Sequence, residues 1–335
     1  MAQGIKALRK LQMGKEDTAG TAVAATAIFR GVTGTILDNT EVTFPEEDIG
    51  YISGIDRSYI AKTEAGLSLG PMEATFEQLP YILNAGIYGA TATTDETGGG
   101  IFTYNFPEVT SDYKVTTDLF TYTFEGGDNA QAEEFAYGFV SSFNLSGDAA
   151  QALMMSAEII GRQVAPTSDN GFTGSISIPS VEEILFSKGK LYIDPITSST
   201  DLGQTQVSNQ FLSMDFSVNT GWIPVYTADG NIYFSFVKST PAEIVLTITF
   251  EHNTSAIAEK AYWKAQTARQ IRLEFDGSAA TKELLIDMAG KWDNFEKIGE
   301  RDGNDIVSGT FRARYNATCT RFCSIVCRNN LASLP

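Results

Sequence analysis

The sequence has little of what catalytic and metal-binding proteins usually need. Its 335 residues include one histidine, His252, and three cysteines, Cys319, Cys323 and Cys327. A zinc site takes about four ligands, and the histidine is far from the cysteines in sequence, so the sequence predicts no metal site. An odd number of cysteines is typical of free thiols. Their spacing fits either one face of a helix or an extended tail.

Long apolar runs are also missing. No stretch approaches the roughly 18 consecutive apolar residues that a membrane-spanning helix requires, so the sequence predicts no membrane span. The N-terminal MAQGIKALRKLQMGKEDT has basic residues but lacks the apolar centre of a secretory signal. We therefore expect a protein that stays in the cytoplasm in which it is made, or leaves it by a route other than secretion.

Catalytic motifs are missing too. His252 alone could serve as the base of a Ser–His–Asp arrangement, and no nucleophile motif lies near it. The glycine-rich patterns of phosphate and dinucleotide loops do not occur. Adjacent acids such as Glu133–Glu134 and Glu182–Glu183 would point to opposite faces of a strand, so neither pair supplies the opposed carboxylates of a glycosidase. The sequence predicts neither enzymatic activity nor a cofactor.

Positive charge is scarce and lies at the two ends. The chain has 24 basic and 41 acidic residues, a net charge of −17. Residues 1–15 and 306–335 each hold four cations and no acid. Charge alone favours an ordinary acidic surface that keeps monomers apart. The alternative is that the basic ends dock onto the acidic bodies of neighbouring copies. A basic footprint for tight nucleic-acid binding is missing.

Alternating apolar residues are what the sequence has in abundance. The stretch FAYGFVSSFNLSGDAAQALMMSAEIIGRQV, Phe135–Val164, alternates with a period of two on both sides of a turn signal at Ser146–Gly147–Asp148. One parity holds Phe135, Tyr137, Phe139, Phe143 and Leu145 before the turn, and Leu153, Met155, Ala157 and Ile159 after it. This period predicts strands, and one short turn between them predicts an antiparallel hairpin. Each arm could exceed about ten residues, against a usual five or six.

Two helices are predicted, one in each half of the chain. The first lies in TFEQLPYILNAG, where Thr75 and Gln78 fit a capping box and Pro80 favours a start near Leu79. The second lies in SAIAEKAYWKAQTA and is predicted to be capped by Thr254 or Ser255. Its predicted inner stripe is Ile257, Ala261, Ala265 and Ala268.

The two halves of the chain look alike. Each is predicted to hold roughly six strands and one helix. FVSSFNLSG matches FLSMDFSVNTG, and ALMMSAEIIGR matches AEIVLTITFEH, in pattern more than in identity, which predicts a tandem duplication. The linker-like Ala165–Ser175 is the candidate boundary. The predicted organisation is an N-terminal arm at 1–26, β domains at 27–165 and 176–316, and a C-terminal tail at 317–335.

The segment from Thr75 to Val164 resembles a known family. The features that match are the aromatic strand YGFVSSFNLSG, its small-residue turn, the next strand ending in IIGRQV, and the upstream ATFEQLPYILNAGIYG helix with its glycine-rich tip. They resemble the major tail tube proteins of long-tailed, non-contractile (siphovirus-type) bacteriophages. The likeness fades to pattern alone in the second half.

The resemblance implies a fold and a function. It implies a mainly β fold of two tandem tail-tube-like domains, each a β-sandwich or partial barrel with one flanking helix, plus extended terminal arms. Subunits of that family pool their inner sheets into rings, and the rings stack into a tube through which DNA leaves the capsid. The resemblance thus implies a structural virion protein, assembled in the host cytoplasm, that forms a hollow, acidic-lined conduit and passes DNA into the host without binding it tightly. Its implied partners are itself and the tail terminator, tape-measure and tail-tip proteins.

The resemblance also gives residues roles. The hairpin residues from Phe135 to Ile159 would form the ring wall. The basic residues Lys6, Arg9, Lys10 and Lys15 would form an arm that reaches the next ring, and the acids Glu46, Glu47 and Asp48 would form its docking loop. The alternative that both ends fold back onto their own domain stays open. Two tandem domains imply a trimeric ring with pseudo-six-fold symmetry, whereas a decorating second half would imply a hexamer.

Two rival functions remain from the sequence. One is the inner tube of a contractile injection machine, whose outer face would have to bind a sheath. The other, from a different class, is a carbohydrate-binding or hydrolytic β-sandwich, which predicts an aromatic-lined cleft with opposed carboxylates. Trp222, Trp263 and Trp292 are interpreted as core or interface anchors, because large aromatic side chains dominate such packing.

Overall fold

The computed structural model describes residues 4–31, 35–87, 91–94, 100–105, 119–167, 171–173, 176–279, 281–331 and 334. Residues 95–99 of the predicted glycine-rich tip and parts of the predicted linker lie outside these residues. The first half contains β1 (Lys10–Lys15), β2 (Ala27–Ile28), β3 (Leu37–Asp38), β4 (Glu41–Thr43), β5 (Tyr59–Lys62), β6 (Ala65–Glu73), α1 (Leu79–Gly86), β7 (Thr91–Thr94), β8 (Gly100–Asn105), β9 (Tyr122–Gly127), β10 (Ala132–Asp148), β11 (Met154–Gly161) and β12 (Ala165–Pro166).

The second half contains β13 (Gly189–Pro195), β14 (Phe211–Asn219), β15 (Trp222–Val225), β16 (Phe236–Ser239), β17 (Glu243–Glu251), α2 (Thr254–Lys264), β18 (Arg269–Asp276), β19 (Glu283–Phe295), β20 (Gly299–Arg301), β21 (Asn304–Ala313) and β22 (Cys323–Asn329). The predicted mainly β fold is therefore confirmed. Among the described residues, neither helix has the length and apolar character needed to cross a membrane.

Two sheets that share one long strand form the first half. The C-terminal part of β10 pairs with β11, which pairs with β6, and β3 adds to the start of β6. The N-terminal part of β10 pairs with β9 on one side and β12 on the other, and β1 and β2 extend the sheet beyond β9. Because β10 belongs to both sheets, its buried side chains hold the two layers around a common core.

The second half uses a long strand in the same way. The C-terminal part of β19 pairs with β21, which pairs with β17, which pairs with β14. The N-terminal part of β19 pairs with β18 on one side and β22 on the other, and β13 adds beyond β18. One cluster of buried residues fills both halves and includes Phe124, Leu145, Phe216 and Phe275.

The predicted hairpin forms, with a later turn and an interrupted alternation. β10 continues through Asp148, and the turn lies at Ala149 and Ala150. Phe135, Phe143 and Leu145 face the main core, but Tyr137 and Phe139 face a second, smaller cluster. A register shift between Phe135 and Gly138 reverses the parity, and a bulge between Val140 and Ser142 restores it. The single parity expected for all five residues is therefore wrong in the middle of the strand.

The first helix forms as expected, and the second presents a different face. The backbone N–H of Gln78 donates to Thr75 Oγ1 at 3.2 Å, and α1 begins at Leu79 with Pro80 in its first turn. In α2 the cap is Asn253, which accepts from the N–H groups of Ser255 and Ala256.

The buried residues of α2 are Ala256 and Glu259, while Ile257 is 53% exposed. The Glu259 carboxylate forms an ion pair with Arg269 at 2.7 Å and accepts from Trp292 Nε1 at 2.9 Å. A polar anchor, rather than an apolar stripe, therefore fixes α2 to β18 and β19.

Both terminal segments contain sheet strands. Leu11 and Met13 are fully buried in β1, which lies between β9 and β2. Cys323 and Cys327 lie in β22, where buried residues alternate with half-buried ones, and burial raises the pKa of both thiols. In this subunit β1 and β22 both pair with strands of the same chain.

Candidate functional site

The strand pairings of the first half recur in the second. Six strand pairings of the first half have a counterpart in the second half, with the strands in the same chain order. In the first half they are β3–β6, β6–β11, β11–β10, β10–β9, β9–β1 and β10–β12. Their counterparts, in the same order, are β14–β17, β17–β21, β21–β19, β19–β18, β18–β13 and β19–β22. The hairpin β4–β5 lies between β3 and β6, as β15–β16 lies between β14 and β17. In each half the helix follows the strand after this hairpin.

The correspondence holds to the single residue in the central hairpins. The bulge between Val140 and Ser142 has its counterpart between Trp292 and Asn294, 152 positions later. The strands paired with them keep the same offset, because Ile159 faces Val140 as Phe311 faces Trp292.

Two glycines before these bulges correspond as well. A Cβ on Gly138 would lie 2.5 Å from the Phe124 ring, and one on Gly290 would lie 2.1 Å from the Arg312 carbonyl. Both positions therefore require glycine for a close approach. The segment matches expected from sequence are wrong in detail, since they equate β10 with β14 and β11 with β17.

The halves meet at a continuous antiparallel junction. β10 pairs with β14 from Ser142 opposite Asn219 to Asp148 opposite Ser213. Asn144 Nδ2 donates to Asp215 Oδ1 at 2.9 Å across this junction. An eight-stranded sheet results, in the order β3–β6–β11–β10–β14–β17–β21–β19. We call it the wall sheet.

A second seam joins the halves away from the wall sheet. β22 pairs with β8 of the first half, and Asn329 Nδ2 donates to the Phe76 carbonyl at 2.8 Å. Lys282 pairs with Glu77 at 2.7 Å and with Glu182 at 3.2 Å. Burial lowers the pKa of Lys282, but its bonds to both carboxylates outweigh burial and raise it. The two halves are thus tied through backbone, side chains and a shared core.

Hydroxyl and amide groups line the solvent-facing side of the wall sheet. Alternate residues facing away from the core are Ser142, Asn144, Ser156, Ser217, Thr247, Thr249, Ser308 and Thr310. Neighbouring strands exchange bonds here, as between Thr249 and Ser308 at 3.0 Å and between Ser68 and Glu158 at 2.7 Å. Acids on this side include Glu158, Asp215, Glu243 and Glu251, whereas the cations Lys291 and Arg312 lie opposite each other at one end and Arg312 pairs with Glu243.

Both ends of the wall sheet are open within the described residues. β18 stops pairing with β19 at Gly290, so from Asn294 onward β19 pairs with β21 alone and its other edge has no described strand beside it. At the other end, β3 pairs with β6 through Leu37 and Asp38 alone, and no described strand covers its outer edge. Exposed apolar side chains mark both places, with Leu37 at 50% and Ile298 at 53% exposure.

The predicted basic residues lie on the folded N-terminal segment. Lys6 and Arg9 are exposed ahead of β1, and Lys10 and Lys15 are its exposed ends. The Lys15 ammonium lies 3.5 Å from the centre of the Phe120 ring, and partial burial lowers its pKa. Lys10 and Lys15 therefore belong to a strand of the subunit, and the segment ahead of them is held by the bond from the Ile5 N–H to Asn129 Oδ1 at 2.9 Å.

Glu16 holds this segment in place and was missed from the sequence. Its carboxylate is buried and accepts from Gly20 N and Thr121 Oγ1 at 2.7 Å, Tyr137 N at 2.8 Å and Thr123 Oγ1 at 3.0 Å. Tyr137 has a positive φ of 58° in the β10 bulge. One carboxylate thus fixes the chain start and the bulge together. A lone acid at the end of an alternating segment gives no sequence signal for this role.

The predicted acidic loop is the tip of the β4–β5 hairpin. Glu46 and Asp48 are exposed, and Glu47 pairs with Arg57. The hairpin also exposes large apolar side chains, with Phe44 at 69%, Tyr51 at 75% and Ile52 fully exposed. The sequence predicted a role for the acids of this loop but not for these apolar residues, although the sequence shows that they stand in a polar loop. The hairpin is an acidic projection with an apolar surface to cover.

The tryptophans serve packing. Trp222 and Trp292 are buried, and Trp263 packs against the core with its Nε1 donating to the Asp293 carbonyl at 2.9 Å. Glu274, Asp276 and Glu283 form the one group of carboxylates close enough to suit a metal among the described residues, and Lys190 forms ion pairs with the first two at 2.6 and 2.7 Å.

A β protein with a continuous polar sheet, open strand edges and an exposed apolar hairpin is of the kind that assembles with itself. The family model for phage tail tube proteins matches residues 6–318. The chain belongs to the phage tail tube protein family, a structural component of the virion tail. No individual curated protein is significantly similar to it.

Proposed function

We propose that the chain polymerises as stacked rings into a hollow tail tube through which DNA passes into the host. The observation that carries this proposal is the wall sheet, which repeats one topology twice and ends in two open edges. Open edges aggregate without limit unless another chain covers them, and closure into a ring removes them. The proposal includes assembly in the host cytoplasm and contacts with tail terminator, tape-measure and tail-tip proteins.

The solvent-facing side of the wall sheet suits the bore. Its opposite side packs on the subunit core, so only this side is free to line a channel. Rows of hydroxyls with acids such as Glu158 and Asp215 repel phosphates mildly, and the Arg312 guanidinium is already paired with Glu243 and Asp293. DNA would therefore slide through without tight binding.

Three copies per ring follow from the repeat. If a six-fold wall is built from tube domains, a chain with two of them fills it with three copies, giving pseudo-six-fold symmetry. Ring stacking would use the exposed N-terminal residues Lys6 and Arg9, with acidic surface on the next ring as partner.

Imaging of the purified protein tests the proposal. Negative-stain electron microscopy at low and high concentration should show hollow stacked rings, and end-on averages should show three-fold modulation. A protein that stays monomeric at high concentration and in the presence of tail-tip proteins would contradict the proposal. A tube that recruits a sheath protein would identify the contractile alternative.

A further inference from the structure

The junction between the two halves is a pattern for the junction between copies. Within the chain, the free edge of β10 after its bulge is covered by β14, the strand that begins the second half. The corresponding strands at the open ends are β19 and β3. We infer that β3 of one copy pairs with the outer edge of β19 of the next copy, as β14 pairs with β10 within one chain. This inference rests on the proposed ring.

The internal repeat fixes the register of this contact. Ser142 corresponds to Asn294, because both follow the bulge by one residue. Asn219 corresponds to Asn39, because the residue before each faces the equivalent place in the next strand. Val218 faces Ile244 of β17, and Asp38 faces Ala65 of β6. Since Ser142 lies opposite Asn219, Asn294 of one copy lies opposite Asn39 of the next. Antiparallel continuation then places Glu296 opposite Leu37.

The side chains at the two edges support this register. Leu37 and Ile298 are each about half exposed in the subunit. In the inferred register they are diagonal neighbours on one face of the sheet, a spacing at which large side chains still touch. Pairing would therefore cover an exposed apolar residue from each edge at once.

The short β3 strand has a physical explanation in the same contact. β14 runs for nine residues because it has β17 on one side and β10 on the other. β3 has only β6 beside it, and two of its residues are in strand. Asp38 also occupies the position of the buried Val218 in the second half, so its charge points inward. An inward-pointing charge at an open strand edge discourages pairing with unrelated strands.

The internal repeat also indicates which surface covers the exposed β4–β5 hairpin. Its counterpart β15–β16 lies on the first half, where Trp222 and Phe234 join Tyr137 and Phe139 in one cluster and Arg162 donates to the Ser235 carbonyl at 2.7 Å. The β4–β5 hairpin of one copy then lies on the second half of its neighbour.

The surface that receives this hairpin is charged. With the offset of 152 residues, Lys291 and Arg312 occupy the positions of Phe139 and Ile160. Both are cationic where the first half is apolar. Arg312 already pairs with Glu243 and Asp293 of its own chain, so Lys291 is the cation that faces Glu46 and Asp48 of the hairpin tip. The acidic loop of one copy thus contacts the neighbouring copy of the same ring, and the charges on the two sides of this contact are complementary.

The contact is head-to-tail and selects a closed ring. Each copy offers β3 at one end of its wall sheet and β19 at the other, so the interface is heterologous and closes only if the rotation per copy divides a full turn. Three copies with eight wall strands each would form one continuous sheet.

Cysteine cross-linking tests the register. We would oxidise assembled Asn39→Cys/Asn294→Cys protein and separate it without reductant. The positive control is Ser142→Cys/Asn219→Cys, whose cysteines lie opposite each other within one chain. The off-register control is Asn39→Cys/Lys297→Cys, displaced by three residues along the strand. The native cysteines are buried and should stay unreactive.

We expect Asn39→Cys/Asn294→Cys to give a ladder of cross-linked bands that ends at a covalent trimer. The off-register pair should give little cross-linked product. Tubes that form without in-register cross-links would overturn the strand assignment while leaving the tube function standing. A ladder that runs to six would overturn the trimer.

Amide hydrogen exchange of the unmodified protein gives a second measurement that no variant can disturb. Residues 35–39 and 294–298 should exchange at least about tenfold more slowly in rings than in monomers, because new strand bonds protect them. Equal exchange in both states would overturn the inference. Failure of the unmodified protein to form any ring would instead count against the proposed function.

Discussion

Ser142 and Asn219 lie directly opposite each other where β10 of the first half pairs with β14 of the second. The pair joins the two halves of the chain through backbone hydrogen bonds. Asn294 and Asn39 are the corresponding residues at the two open edges, so in the inferred ring the contact between copies repeats the geometry of this pair.

The exposed hairpin should matter for assembly and not for folding. We expect Ile52→Asp to leave the thermal midpoint of the monomer unchanged and to reduce the ring fraction at least about tenfold, because Ile52 is fully exposed in the subunit and covered only in the ring. Size-exclusion chromatography with electron microscopy measures the ring fraction.

Ile257→Asp is the matched control for the hairpin, since Ile257 is 53% exposed on α2 and faces no inferred neighbour. It should assemble like the unmodified protein. Equal loss of rings in both variants would show that any exposed isoleucine matters and would remove the argument for the hairpin.

The Glu16 carboxylate should be a large contributor to stability. Glu16→Ala leaves Thr121, Thr123 and the Tyr137 N–H without their acceptor, so the free energy of unfolding should fall by about 2–3 kcal/mol. Urea unfolding followed by tryptophan fluorescence measures it. The exposed Glu251→Ala should change it by less than about 0.5 kcal/mol; a similar loss in both variants would contradict the role given to Glu16.

The buried pair under α2 should behave as a unit. Glu259→Ala leaves Arg269 buried without its carboxylate and should cost about 3–5 kcal/mol, whereas Glu259→Leu with Arg269→Met should recover most of that loss. Urea unfolding of the single and double variants decides the matter. If the double variant were as unstable as Glu259→Ala, packing of α2 and not the uncompensated charge would be the cause.

Asp201 should give the fold a pH dependence at the acid end. Hydrogen bonds from Ser198 and Thr197 lower the pKa of Asp201 to about 2. A lowered folded pKa stabilises the fold above the ordinary aspartate pKa, and this contribution disappears as the pH falls through the folded value. The difference in urea midpoint between the unmodified protein and Asp201→Asn should therefore shrink between about pH 4 and pH 2. A difference that stays constant over this range would contradict the assignment.

The proposed bore should tolerate hydroxyls and acids but not cations. Ser217→Lys with Thr247→Lys adds positive charge to the polar face of the wall sheet and should leave tubes intact while making them retain DNA, most strongly at low salt. A filter-binding assay across a salt series measures retention. Ser217→Asp with Thr247→Asp is the matched control; DNA binding by neither variant would place this face outside the bore.

Local sequence signals predicted the elements that short-range chemistry fixes. The period of two in Phe135–Val164 gave the hairpin, and the position of Pro80 gave the start of α1. What they could not give depends on distant partners. Tyr137 leaves the expected face because a bulge is held by Glu16, more than a hundred residues away. The face of α2 depends on Arg269 and Trp292, which are not apolar neighbours in its own sequence.

The repeated pattern of strand pairings shows the same division between sequence and structure. Alternating segments resemble each other whether or not they are equivalent, so FVSSFNLSG was matched with a strand that is its neighbour and not its counterpart. The correct alignment depends on which strands pair and where each bulge falls. The acids of the β4–β5 hairpin were visible in the sequence, but the exposure of Tyr51 and Ile52 follows only from the fold.

A reconstruction of the assembled tube by electron cryo-microscopy, at a resolution that separates strands, tests the central claim most directly. The account predicts three copies per ring, with residues 35–39 of each copy beside residues 294–298 of the next and the β4–β5 hairpin on that neighbour. Six copies per ring, or another strand beside β19, would contradict it.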